Sequence, residues 1–591
     1  MEPKIIRIGG ASGAWGDSPG AFGQLLGAGV DYLMMDYLAE VSMSLLARAR
    51  MKDPAAGYPP DAVAYIGDVL PELAAKRVKI ATNAGGVNPA GCKRALEAMI
   101  AAKNLPLTVA IVEGDDVLPL IPQLRERDVR EFVSGAKLPA RLLTANAYLG
   151  ALPIKAAFDA GADIVITGRC ADSALALGIL MHEFGWSESE YDLLAAGSLA
   201  GHILECGPQA TGGNFTDWEK VPDWFDIGYP IAFCRADGSF TLGKPAGTGG
   251  LIIPEVVAEQ TLYEIGDPAA YFLPDVVADF SAVTITQARE NLVEVRGAKG
   301  RPPTSQYKVS ATYQDGYRSV ATVSIVGPDA AAKAERTGRT LIDRAEMIFR
   351  SRNIAPFKAT HIEALGAEAS YGEKSRARAS REVLLRLVVV HESREALELF
   401  GRELGSIGLS CAPGTTGIYS GRPKPAPVVR LFTLFLNKSD LGSPRVTLGD
   451  AATVEVPVPN EGGYAPSAPA TEPDGPPPDG PTIEVPLIKL AYARSGDKGN
   501  SSNVAIFARK PEYLPWLRSY LTPNRIVAQL SQLVNGPAER FEAPGLHALN
   551  FLIQDALGGG GMASLRIDPQ GKAYGQMVLE MIVPASRSWR I

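Results

Sequence analysis

The chain has 591 residues, 46% hydrophobic and 21% charged, with a net charge of −7 at pH 7. That size suits several domains, and that apolar content suits a globular protein. An acidic chain lacks the basic footprint of a nucleic-acid binder, and no run approaches the roughly 18 apolar residues of a membrane span.

Lys4–Ile8 reads as a first strand, running into Gly9-Gly-Ala-Ser-Gly-Ala-Trp-Gly-Asp17. Ser18-Pro19 then supplies an N-cap and first-turn pair for a helix to about Leu26. Asp31–Asp36 is a second strand, and Ala39–Arg50 and Asp61–Lys76 are helical by period. Val78–Thr82 is a third strand, ending at Asn83-Ala-Gly-Gly-Val, and Asn88-Pro89 opens the helix that follows. Leu107–Val112 is a fourth strand, ending at Glu113-Gly-Asp-Asp. A fifth runs from Arg141 to Thr144 and ends at Asn146. Ile164–Thr167 is the sixth, a β-branched run broken by Gly168 and followed at once by Arg169, Cys170 and Asp172.

Strands alternating with helices predict a largely parallel sheet, and six units rather than eight favour an open sheet over a barrel. Such a sheet brings its C-terminal strand ends to one edge, where ligands bind. Asp17, Asp36, Asn83, Glu113, Asn146, Arg169 and Asp172 all fall there and are expected to line one cleft. Polar βα loops are ordinary, so the argument lies in the repetition and in the glycines beside Asn83, Glu113 and Arg169, which would let a ligand approach the backbone.

Ser187-x-x-Glu190 opens a helix through Ala195 to Glu205, rich in small residues that imply close packing. His202 and Glu205 lie one turn apart on it; a buried, satisfied histidine is the commoner outcome of that spacing. Thr211-Gly-Gly-Asn214 is a polar glycine loop, with Asn214 a candidate substrate contact. Gly243-Lys244-Pro-Ala-Gly-Thr-Gly-Gly250 carries a lysine but lacks the Walker spacing. The first 250 residues thus form one α/β domain.

From 251 to 458 the texture becomes α+β. Tyr307–Tyr313, Ser319–Val326, Val383–Val390 and Val428–Phe435 read as strands, and Ala330–Arg350 as a helix. Residues 459–482 are dense in Pro and Gly and read as a linker. The segment 483–591 is a small α+β domain, with helices expected near Pro515–Leu521 and Ala548–Leu557 and closing strands at Ser564–Ile567 and Gln576–Val583. In it Arg494, Lys498 and Asn500 crowd one glycine-punctuated turn, which suits anion binding as well as a tight hairpin.

The five cysteines are scattered, with no Cys-x-x-Cys, so neither a disulfide framework nor a zinc knot is indicated. The N-terminus lacks the hydrophobic core of a signal peptide, so a cytoplasmic location is expected.

Ile8-Gly-Gly-Ala-Ser-Gly-Ala-Trp-Gly-Asp17, Asn83-Ala-Gly-Gly-Val-Asn-Pro, Val165-Ile-Thr-Gly-Arg-Cys-Ala-Asp172 and Arg494-Ser-Gly-Asp-Lys-Gly-Asn500 together resemble the acyclic terpene utilisation protein A family. The resemblance covers nearly the whole chain and implies a ferredoxin-like C-terminal module. It implies a setting in bacterial citronellol and geraniol breakdown through coenzyme A thioesters, beside acyl-CoA carboxylases, and supplies no catalytic residues.

Read together, the residues suit a hydratase or carbon–oxygen lyase acting on an acyl-CoA or carboxylic acid. Asp17, Asp36, Glu113 and Asp172 are the candidate acids and bases; Asn83, Asn146, Asn214, Arg169, Arg494, Lys498 and Asn500 are the candidate substrate contacts. Carboxylates at strand ends also suit Mg²⁺, which leaves the metal open. A non-catalytic scaffold or carboxylase partner is the alternative, and a homo-oligomer is compatible with either. Gly10-x-x-Gly13-x-x-Gly16 with Asp36 beyond it gives a nucleotide-binding oxidoreductase as a distant third.

Overall fold

Four of the expected parallel strands are short and apolar enough to sit between two helical layers, and with the first they form the centre of an eleven-stranded sheet. In the computed structural model, which describes residues 3–418, 421–466, 473–477, 480–561 and 563–589, these are β1 (Ile5–Ser12), β2 (Tyr32–Met35), β3 (Lys79–Thr82), β4 (Val109–Glu113) and Ile164–Thr167. They pair in parallel in the order β1, β2, β3, Ile164–Thr167, β4. Antiparallel strands extend both edges, with Ile231–Arg235 beside β1 and Arg445–Leu448 beside β4. Every residue of β2 and of Ile164–Thr167 is buried, which is what a strand covered on both faces requires.

The fifth expected strand is a correction. It forms as β5 (Thr144–Ala147) and leaves the parallel sheet to pair antiparallel with the strand Gln306–Val326, Ser310 opposite Asn146. Two of its four side chains are polar and need partners. Thr144 finds the Thr312 hydroxyl at 2.6 Å and Asn146 the Asp115 carboxylate at 2.8 Å, both at the seam between the sheets. Gln306–Val326 itself runs unbroken for 21 residues where two strands were expected. It anchors a six-stranded sheet covered by the helices Ala330–Ser351 and Arg394–Glu403.

The C-terminal unit is a four-stranded antiparallel sheet, ordered Ala491–Lys498, Ser501–Ala508, Ala548–Ile553, Ala538–Ala543. Thr482–Pro486 pairs separately with Ile582–Ser586. Ala548–Leu557 was expected as helix. Strand pairing on both edges overrides that local preference, and the Asn550 amide bonds the Ile265 carbonyl at 2.8 Å, outside the sheet. Tyr574–Leu579 is helical where a strand was expected, and Ser564–Ile567 is irregular. The described residues between Glu455 and Thr482 hold neither helix nor strand; the rest of that stretch, 467–472 and 478–479, lies outside the described residues. No helix among the described residues is long and apolar enough to cross a membrane.

Candidate functional site

The strand ends β2 and Ile164–Thr167, the end of the helix Tyr191–Leu204, and the turn after Ala491–Lys498 surround a cavity of about 2210 Å³. Asp36, Arg169, Asp172, Glu205, Asn214, Arg494, Lys498 and Asn500 line it. Asp17, Asn83, Glu113 and Asn146 do not.

The non-lining residues have identifiable work. Asn83 is 0% exposed; its amide donates to Asp36 Oδ1 at 2.5 Å and its carbonyl accepts from the Tyr37 N–H at 2.8 Å, clamping the turn that presents Asp36. Asn146 donates to Asp115, and Asp115 in turn accepts the Arg169 backbone N–H at 2.9 Å. Asp17 accepts from the Gly13 N–H at 2.9 Å, the Ser18 N–H at 2.7 Å and the Tyr229 hydroxyl at 2.6 Å, which closes the first loop. Glu113 sits in strand pairing opposite Arg445.

The glycines are a second correction. A Cβ on Gly10 would meet the Leu204 carbonyl at 2.6 Å, on Gly13 the Cys206 backbone at 2.7 Å, on Gly85 the Thr167 carbonyl at 2.5 Å and on Gly168 the Asp115 carboxylate at 2.5 Å. Protein, not ligand, makes the close approach. The first loop is filled by the very backbone that carries Glu205, so it forms no pyrophosphate cradle, and the dinucleotide reading loses its support.

Arg169 is 3% exposed and sits over Tyr148, its guanidinium carbon 4.2 Å from the ring centroid. Its Nη1 donates to Asp172 Oδ1 at 2.5 Å. Asp36 and Glu205 share this neighbourhood. Burial holds both carboxyls well above the usual carboxylate range, and the Asp172 charge pushes each further the same way. Burial also lifts Asp115 to about 6, against the pull of the Arg169 and Asn146 donors and its own backbone N–H. Glu205 caps the C-terminal end of its helix, where the dipole further disfavours an anion.

The C-terminal unit supplies the facing wall. Arg494 donates to the Asn214 carbonyl at 2.8 Å and to Gln209. Lys498 reaches toward Tyr271, 5.9 Å from the ring centroid, and its charge lowers the Glu205 carboxyl, opposing burial. Asn500 holds its own turn, donating to Asp555 at 2.8 Å and accepting from the Gly559 N–H at 2.7 Å. Lys572, which sequence reasoning missed, touches the Tyr263 hydroxyl. Burial pushes its ammonium down to about 8, with Glu264 and Asp497 at 3.3 and 3.5 Å from it. Among the described residues no three His, Cys, Asp or Glu side chains are grouped to hold a metal ion.

The unit is docked, not tethered. Thr216 and Ala493 exchange two hydrogen bonds of 2.9 and 3.2 Å, the buried Asn503 amide donates to the Leu262 carbonyl at 2.8 Å, and Arg509 grips Asp217 through both nitrogens at 2.6 and 2.8 Å. The cavity is therefore incomplete without it.

A comparison with curated proteins finds no match. Residues 485–584 match the AtuA ferredoxin-like domain, as the small antiparallel unit is expected to. Residues 6–447 match the acyclic terpene utilisation family protein AtuA, and the chain therefore belongs to that family and to the utilisation of acyclic terpenes.

Proposed function

We propose that the protein is a cytoplasmic hydratase or carbon–oxygen lyase acting on a branched, unsaturated acyl group carried as a coenzyme A thioester or free acid. One observation carries this reading: two buried carboxyls, Asp36 and Glu205, whose burial disfavours the charged form, share a cavity wall with the Arg169–Asp172 ion pair. A neutral carboxyl can give a proton or donate a hydrogen bond, and a neighbouring carboxylate can accept one.

Addition of water to a carbon–carbon double bond conjugated to a carbonyl needs both. Asp172 takes a proton from water, and the hydroxyl oxygen bonds to the β-carbon. The π electrons move onto the carbonyl oxygen as an enolate. Asp36, whose Oδ1 already accepts from Asn83 and from the Leu38 N–H at 3.2 Å, has Oδ2 left to donate to that oxygen. Glu205 delivers its proton to the α-carbon. Exchange with solvent returns Asp172 and Glu205 to their starting states, and the net change is one water added. Arg169 and Lys498 hold the anionic part of the substrate.

Cavity size supports a long substrate. At about 2210 Å³ it exceeds the roughly 300–1,000 Å³ of an ordinary small-molecule pocket. An acyl group with its pantetheine arm fits that excess. The competing reading is a non-catalytic partner of acyl-CoA carboxylase proteins. Purified protein with geranyl- and methylcrotonyl-type thioesters, and the unconjugated citronellyl type as a control, with no other protein present, separates them. Hydration of either conjugated thioester supports the enzyme; binding of both without turnover defeats it.

A further inference from the structure

His202 stands outside the chemistry assigned above, yet it is held with unusual care. It is 1% exposed, and its ring lies 5.7 Å from Tyr271 and 6.3 Å from Phe280, centroid to centroid. Its backbone carbonyl accepts from the Gln260 amide at 3.2 Å. The two rings pack against it and restrict its rotation. Its Nδ1 lies 2.9 Å from Glu205 Oε1, one helical turn on. The other oxygen, Glu205 Oε2, is buried with no hydrogen-bond partner among the described residues, as is His202 Nε2, and Glu205 as a residue lines the cavity.

That asymmetry has a chemical consequence. A carboxyl group with one oxygen tied to a fixed ring has its plane set. A buried oxygen with no partner is costly unless something else meets it in the working state. We propose that His202 is a positioning residue acting through Glu205: its bond to Oε1 fixes the carboxyl and leaves Oε2 as the oxygen that meets the substrate and gives up the proton.

The surroundings agree. Burial pushes the His202 imidazole down to about 4, so at neutral pH it is an uncharged partner and brings no cation to ionise Glu205. The other groups acting on Glu205 are Asp172 and Glu264, which hold its proton on, and Lys498 and Arg169, which pull it off. For His202 itself they are Lys498, Glu264 and Asp172. A neutral, restrained hydrogen-bonding ring lets the carboxyl stay protonated and still point one way.

This inference rests on the acid role given to Glu205, and its test reads the carboxyl directly as well as through turnover. The infrared carbonyl band of a protonated carboxyl is identified in the full-length protein as the band lost in Glu205→Gln. His202→Leu fills the space without the hydrogen bond, while His202→Asn restores a non-titrating partner near the Nδ1 position. We expect His202→Leu to shift or broaden the band and to cut turnover by roughly ten- to a hundred-fold with KM little changed, below the full effect of losing a general acid. His202→Asn should bring both back toward wild type. A band that keeps its position, width and pH midpoint in His202→Leu overturns the inference, and so does equal loss in both variants. Absence of any Glu205-dependent band overturns it too. If no thioester is turned over, the band still decides the His202 question, so the two readings fail separately.

Discussion

The strand-end wall and the seam under the ferredoxin-like module treat carboxyl groups in opposite ways. At the strand ends Asp36, Asp115 and Glu205 are buried with amide, backbone or imidazole partners, and all three are pushed up. At the seam Asp217 meets the Arg509 guanidinium edge-on, and that hydrogen-bonded pairing pulls it down to about 2. The same side chain is a proton store in one place and a fixed anion in the other. Burial that outweighs the nearby Arg169 and Lys498 charges makes the first, and a bidentate arginine makes the second. The module uses charge to dock, through Arg509 on Asp217; the strand ends hold raised carboxyls beside the Arg169–Asp172 ion pair.

The sharpest way to break this contrast is to remove the stored protons. Glu205→Gln should lower turnover by about 10²–10⁴-fold, and Asp36→Asn, which keeps a weaker donor, by about 10²–10³-fold. Neither should lower the melting temperature, because an amide in a buried site has no ionisation to suppress. Steady-state kinetics and thermal melts on the two variants check this.

Arg169→Lys keeps the charge and loses both the contact with Tyr148 and the fork toward a substrate anion. Substrate affinity should weaken by about 1.5–3 kcal/mol, the scale of a hydrogen bond to a charged group. Calorimetric titration with a thioester reads it directly, and unchanged affinity would leave Arg169 as only the partner of Asp172.

Gly168→Ala tests the floor under that arginine. The added methyl would sit 2.5 Å from Asp115 Oδ1, so the carboxylate must move and the Arg169 N–H loses its acceptor. Overpacking of this kind costs about 1–3 kcal/mol, measurable by urea unfolding. Gly23→Ala is the control: a Cβ there meets nothing within 4 Å, and the helix Gly20–Gly27 should gain up to about 1 kcal/mol.

The smallest effect is in the pH slopes. Asp217 is depressed, so its contribution is present above the ordinary aspartate value and is lost as pH falls from about 4 to about 2. With 25% of the Arg509 side chain exposed, screening leaves about 1 kcal/mol. Arg509→Met should remove it. Asp115 runs the other way: the folded state binds the extra proton, so its term falls as pH rises from about 4 to about 6. Stability curves of wild type and Arg509→Met should therefore lie apart by about 1 kcal/mol above about pH 4 and converge as pH falls to about 2.

Part of this site was legible in the sequence. Ile164–Thr167 ending at Gly168-Arg169 and Asp36 after Tyr32–Met35 are strand ends by pattern alone, and both line the cavity. Asn83 and Asn146 sit close by as expected, but they hold Asp36 and Asp115 instead of facing the cavity. In Glu113-Gly-Asp-Asp the reading took the first acid, while the buried one is Asp115, two positions on; only the packing against Gly168 distinguishes them. The His202–Glu205 spacing was visible, but its meaning depends on burial at a helix end, which spacing does not encode. Lys572 and Tyr263 lie 309 positions apart and meet only because the module docks. β5 left its sheet for the long strand Gln306–Val326, where Thr144 meets Thr312 across the pairing, a partner 168 positions away that no local pattern encodes.

The central claim is that Glu205 is the proton donor to substrate carbon. Incubating an unsaturated acyl thioester with the protein in deuterated water and following label at the carbon next to the carbonyl tests it most directly. The account predicts label in the hydrated product with wild type, and loss of labelling by at least about 10²-fold in Glu205→Gln with the thioester still bound. Labelling at the wild-type rate in Glu205→Gln would contradict it.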